Sequence, residues 1–123
     1  MRIFLLVAMI ARLALFPAIA EEGDTNSANA VLPMCLAAIR FLDREPGLNA
    51  ADSFKAGYCL GIIRTAQNLS PLFKVCSPTG VDNGQSVRVA VAFIRKNPAR
   101  MHEPFELLAL DAFREAWPCS SGR

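Results

Sequence analysis

Four cysteines constrain this chain more than any other feature. Cys35, Cys59, Cys76 and Cys119 are spread along 123 residues, and none has a neighbour at the short spacing that zinc knuckles use. With a single histidine, His102, a His-rich metal cluster or a histidine pair is excluded. Whether four thiols pair depends on the compartment, and the N-terminus bears on that. Met1 and Arg2 make a short basic start, and Ile3 to Phe16 is almost unbroken apolar. Pro17 breaks any helix, and Ala18-Ile19-Ala20 is a cleavage signature followed by Glu21, Glu22 and Asp24. That order is the order of a secretory signal peptide. Arg12 leaves about ten clean apolar residues before it, too few to span a bilayer. The expectation is a leader over residues 1–20 cleaved after Ala20, an exported and periplasmic chain, and no membrane segment once the leader is gone. An even cysteine count in an oxidising compartment then implies two disulfides.

Removing Arg2 and Arg12 lowers the 13 basic residues to 11, equal to the 11 acidic ones. A neutral mature chain has no electrostatic footprint for nucleic acid. It is also short, so its core is modest and two crosslinks of ~2–4 kcal/mol each matter to it.

The rest reads as helices. Residues 21–28 are small and polar, a frayed tail. Asn29 caps a helix in which Val31, Leu32, Cys35, Leu36, Ile39 and Leu42 recur at three- and four-residue spacing, with Pro33 near its start. Arg44-Glu45-Pro46-Gly47 ends it. Asn49 and Asp52 make a capping box for a second helix to about Asn68. Phe54, Tyr58, Ile62 and Ala66 form its stripe, with Gly57 and Gly61 alongside to permit a close backbone crossing. Ser70 to Gly80 is a loop. Asp82 and Gln85 open a third helix carrying Val87, Ala90, Val91 and Ile94 and stopping at Asn97-Pro98. The alternation over 87–94 also fits a strand, but the cap and the length to Lys96 favour helix. Pro104 starts a last helix through Phe105, Leu108, Leu110, Ala112 and Phe113, with Glu103 and Glu106 at its positive end. The fold expected is all-α, a compact four-to-five-helix domain over residues 29–119 crosslinked by two disulfides, with a short tail at 120–123.

Catalytic chemistry is sparse. No serine is paired with His102 in a triad order, and His102 reads as a residue that caps or orients the helix after it. Gly57 and Gly61 follow no strand, and no phosphate-loop lysine exists, so neither nucleotide motif applies. No catalytic residue, cofactor or metal ligand is expected, and the chain reads as a binding protein and not an enzyme. Arg88, Arg95, Lys96 and Arg100 gather on the third helix and its exit, either as a solvated surface or as the rim of a protein interface.

Several short motifs follow in one order: Cys59-Leu60-Gly61, Cys76-Ser77-Pro78, Asp82-Asn83-Gly84-Gln85, Asn97-Pro98 with His102 beyond, and Trp117-Pro118-Cys119. Together they resemble the Rap1a/Tai family of small periplasmic immunity proteins. Ile62 and Thr65 stand where that family often has tyrosine and glycine, Asn97 replaces its histidine before proline, and Trp117 its phenylalanine. The resemblance implies an exported, disulfide-bonded helical protein, frequently a homodimer. It also implies inhibition, by direct binding, of a peptidoglycan amidase effector delivered by type VI secretion. A periplasmic chaperone or adaptor with no toxin partner is the alternative.

Four cysteines allow three pairings. Helices 1 and 2 turn near residue 47, which puts positions 35 and 59 equally far from the turn. Helices 3 and 4 turn near residue 100, leaving 76 and 119 at their far end. The expected pairs are Cys35–Cys59 and Cys76–Cys119; Cys59–Cys76 with Cys35–Cys119 is the weaker alternative. The partner-binding candidates are Leu72, Phe73 and Lys74 in a proline-stiffened loop tethered at Cys76, with Arg88, Arg95 and Lys96 as a polar rim. Against this, Leu72 and Phe73 can fold back onto the helices.

Overall fold

The computed structural model describes residues 24–120. Residues 1–23 and 121–123, which hold the expected leader and most of the expected C-terminal tail, lie outside the described residues. Four helices form the domain: α1 Ala28–Leu42, α2 Ala50–Leu69, α3 Asn83–Lys96 and α4 Phe105–Ala116. Short 3-10 turns, Ser70–Phe73 and Pro98–Arg100, follow α2 and α3. Among the described residues there is no strand, so the alternating run 87–94 is helical as its cap indicated.

The helix starts follow local chemistry. Asn49 accepts from the Asp52 backbone N–H at 3.0 Å, and the Asp52 carboxylate accepts in return from the Asn49 N–H at 3.3 Å, a complete capping box. At α3 only half of the expected box forms: Asp82 Oδ1 accepts from the Gln85 N–H at 2.7 Å. The exit of α3 is closed by Asn97, whose side-chain amide donates to the Phe93 carbonyl at 2.8 Å.

Two starts differ from expectation for one reason. Helix α1 begins at Ala28, before Asn29, and has no side-chain cap. Its first N–H groups are satisfied across the fold: Ala28 donates to the Glu103 carbonyl at 2.9 Å and Asn29 to that of Met101 at 2.8 Å. Phe105 returns a bond to the Asn26 carbonyl at 2.8 Å, and Ser27 pairs with Pro104. The segment read as the end of a frayed tail is therefore docked, with Ser27 and Ala28 buried. Orphan N–H groups at a helix start need acceptors, and here the turn before α4 supplies them. The same exchange displaces Pro104 to the N-cap position of α4, one residue before the helix.

The α1–α2 and α3–α4 pairs are the most extensive helix contacts. Between them lies a core in which Phe105, Phe113, Ile63, Ile94, Leu108, Val31 and Val87 are fully buried. Phe113 also stacks obliquely on Trp117, ring centroids 5.4 Å apart. The stripe of α2 runs differently from expectation. Its buried residues are Ala56, Cys59, Ile63 and Ala66, while Phe54 is 71% exposed. Gly57 and Gly61 share that outer side, and a Cβ on either would meet nothing within 4 Å. No close backbone crossing occurs there.

Both expected disulfides are present: Cys35–Cys59 joins α1 to α2, and Cys76–Cys119 joins the loop after α2 to the segment after α4. They close intervals of 24 and 43 residues. The chain-entropy estimate gives about 3.5 and about 4 kcal/mol respectively. Their surroundings differ more than their loops do. Cys35 and Cys59 are wholly buried, whereas Cys76 and Cys119 are exposed. A reductant reaches a sulfur only where it is accessible. Under a graded thiol titration at neutral pH, mass mapping of trapped thiols is expected to show Cys76 and Cys119 alkylated before Cys35 and Cys59. Simultaneous labelling of all four would mean that the domain opens globally before either bond is reduced.

Candidate binding surface

The chain after α2 makes one 3-10 turn, Ser70–Phe73, and then reverses through Lys74 at φ 58°. A left-handed residue with a side chain costs about 1 kcal/mol and persists where neighbours hold it. Here several do. Ser70 Oγ donates to the Gln67 carbonyl at 2.8 Å. The Ser70 carbonyl accepts from the backbone N–H of both Lys74 and Val75. Val75 is buried and pairs with Pro118, and the Cys76 N–H donates to the Trp117 carbonyl at 2.9 Å. The disulfide to Cys119 follows at once.

This framework presents Leu72 outward: it is 79% exposed, the most exposed of the large apolar side chains among the described residues. Phe73 is 37% and Leu69 42% exposed. Leu72 does not fold back onto the helices, and Phe73 does so only in part. Beside the turn lies an open groove of about 400 Å³, with Arg64, Asn68, Pro71, Val75, Ser77 and Val81 on its walls.

The six residues singled out from sequence do not form one patch. Leu72, Phe73 and Lys74 are contiguous on the turn. Arg88 lies elsewhere, paired with Asp43 after α1 and donating to the Gly84 carbonyl at 2.9 Å. Gly84 makes room for this: a Cβ there would stand 3.2 Å from Asp82 Oδ1 and 3.3 Å from Arg88 Nη1. The Asp82-Asn83-Gly84-Gln85 motif is thus a cap and a guanidinium packed against a bare backbone. Lys96 borders a groove between α3 and α4 with Phe93, Ala112 and Glu115. Arg95 is exposed, and among the described residues neither it nor Lys96 has an ion-pair partner.

A charged chain along α4 was not legible from sequence. Arg100 binds both oxygens of Glu103, at 2.8 and 2.7 Å, and also Asp111 Oδ2 at 2.8 Å. The other Asp111 oxygen accepts from Arg114 Nη1 at 3.0 Å, and Arg114 Nε donates to the Phe73 carbonyl at 3.1 Å. Arg100 further lies 5.9 Å from the Phe93 ring centre. The spacing Asp111–Arg114 marks helical neighbours, but Arg100 and Glu103 meet across the turn before α4 and nothing in the sequence ties Arg114 to Phe73. Glu103, expected at the positive end of α4, sits before the helix as the partner of Arg100; Glu106 occupies the first turn. His102 is exposed beside Asp24, Ser27 and Asn29 and does not cap α4, whose Phe105 N–H goes to Asn26.

Among the described residues, no three His, Cys, Asp or Glu side chains are grouped to hold a metal ion. No described helix is long and apolar enough to cross a membrane. The arrangement defines a class: a small, doubly crosslinked helical domain that displays an apolar turn on a fixed frame. A family model described as Rap1a immunity proteins matches residues 27–119, and the chain belongs to that family. No curated protein and no solved structure matches it.

The hydrogen bonds from Arg100 hold the Glu103 carboxyl below the usual glutamate range, against a smaller opposing effect of desolvation. A carboxylate depressed on folding stabilises the fold above its ordinary value of about 4.3. That stabilisation is lost as pH falls through the lowered folded value. Glu103→Gln is therefore expected to unfold at a lower temperature than wild type at pH 7, with the gap closing below about pH 4. Parallel melting-temperature curves from pH 7 to 3 would show that the pair contributes nothing to acid sensitivity.

Proposed function

We propose that this protein is a periplasmic immunity protein that binds and inhibits a peptidoglycan amidase effector of type VI secretion, without catalysing any reaction. The observation that carries the reading is Leu72, an apolar side chain presented to solvent by a 3-10 turn that Arg114 pins at Phe73 and that Val75 and a disulfide tether just beyond. An aliphatic side chain on a rigid convex turn suits insertion into a hydrolase cleft, because the ordering cost of binding is already met in folding. Membership of an immunity-protein family supports the same reading. Lys74 and Arg64 beside the turn add positive charge, which favours an acidic rim on the partner.

A second reading, a periplasmic adaptor with no toxin partner, draws on a different surface. Phe41, Leu42 and Leu48 border an open apolar groove at the α1–α2 turn, with Arg44 and Glu45 at its edge. Phe54 is exposed on α2 nearby in sequence. That surface suits binding to several clients by apolar contact.

The test takes the protein from Glu21 onward with candidate peptidoglycan amidase effectors of type VI secretion, measured by calorimetry and by inhibition of cell-wall digestion. Light scattering on the same samples reads whether one copy or a homodimer engages. Leu72→Asp is expected to weaken binding by roughly 30-fold or more, the scale of a central interface anchor, while leaving thermal unfolding within a degree or two. Lys74→Glu with Arg64→Glu, beside the turn, is expected to lower the association rate chiefly at low salt. Arg88 is unsuited to charge reversal, because the change also removes its pairing with Asp43. Full affinity in Leu72→Asp, or binding to unrelated envelope proteins that Phe41→Asp abolishes, would favour the adaptor.

A further inference from the structure

We infer that Asp111 is the positioning residue of the 70–74 turn: it holds Arg114 in the orientation that fixes the Phe73 carbonyl, and so sets where Leu72 stands. The inference rests on the reading above in one respect, that the turn is the contact surface.

The geometry carries it in three steps. Arg114 is the one side chain of α4 that bonds the backbone of the turn, through Nε to the Phe73 carbonyl. That bond sits immediately before the left-handed Lys74, the point where the backbone would otherwise relax. A long guanidinium at 47% exposure has many rotamers, and a single bond to a carbonyl selects among them weakly. Asp111, one turn earlier on the same helix, removes that freedom by accepting from Arg114 Nη1. Asp111 is itself held from its other side, where Oδ2 accepts from Arg100, and Arg100 is clamped by both oxygens of Glu103. One carboxylate with both oxygens engaged thus joins the α3–α4 turn to the tip of the display surface.

The disulfide and the Val75–Pro118 pairing restrain the chain only from Val75 onward. Ahead of them, Leu72 and Phe73 are restrained by the 3-10 turn itself and by Arg114. The α4 contact therefore acts on the part of the turn that the crosslink leaves free.

The test needs only the free protein. Amide hydrogen exchange is followed at Lys74 and Val75, whose N–H groups both close onto the Ser70 carbonyl. Asp111→Ala, which improves helix propensity and so spares the fold, is expected to speed exchange at these two amides roughly threefold, the scale of a partly exposed ion pair. Exchange at Ile63 and Ile94 should stay unchanged. Arg114→Met should give the same pattern, Asp111→Glu should restore slow exchange, and Glu103→Gln, one bond further out, should move these amides less than Asp111→Ala. Unaltered exchange at Lys74 and Val75 in Asp111→Ala, or equal acceleration throughout the core, would overturn the inference. Its failure is separable from that of the proposed function, which is read from the affinity of Leu72→Asp and not from exchange.

Discussion

The Cys76–Cys119 bond ties the loop after α2 to the segment after α4, and the display surface depends on that tie. Without it, a 3-10 turn ending in a left-handed lysine would hang from the end of α2 with only buried Ser70 and Val75 and the Arg114 bond to anchor it. With it, the loop is bound on both sides of the strained residue, by Arg114 before and by Val75 and the disulfide after. The buried Cys35–Cys59 bond does a different job. It sits within the α1–α2 contact and fixes the hairpin on which α3 and α4 pack. One crosslink organises the core, and the other organises a surface.

Much of this was legible because it is local or follows from a simple symmetry. Capping residues marked α2 and α3 to within a residue or so. The disulfide pairing followed from the positions of the cysteines relative to two helix reversals. What escaped the sequence was contact between distant segments. Helix α1 starts at Ala28 because carbonyls of Met101 and Glu103 accept its first N–H groups, which no residue near position 28 announces. Arg114 and Phe73 are 41 positions apart, and no periodicity links them. Gly57 and Gly61 misled in the opposite direction: glycines at that spacing suit a close crossing, yet both face open space. Of the candidate site, Leu72, Phe73 and Lys74 stand together as read, while Arg88 serves a pairing at the α1–α2 turn and Lys96 borders a separate groove.

The short motifs that follow one another along the sequence fall on this framework. Asp82 to Gln85 is a helix cap with a bare glycine backbone for Arg88; Asn97 closes α3; Trp117 stacks on Phe113 and its carbonyl receives the Cys76 N–H. These are structural duties, and they leave the outward side chains free to differ. Leu72 makes no comparable contribution to the core, so its chemistry can be set by what it meets. A scaffold of fixed contacts carrying an exposed tip that the core does not constrain is what the proposed binding role requires.

The most direct test of that account is a photo-crosslinking side chain placed at position 72, with a second protein carrying it at position 41 on the opposing apolar groove. Each is irradiated with a peptidoglycan amidase effector that the unmodified protein binds, and the crosslinked peptides are identified by mass. The account predicts efficient crosslinking from position 72 to residues lining the hydrolase cleft, and little from position 41. Crosslinking from position 41 alone, or from position 72 to a surface remote from the cleft, would contradict it.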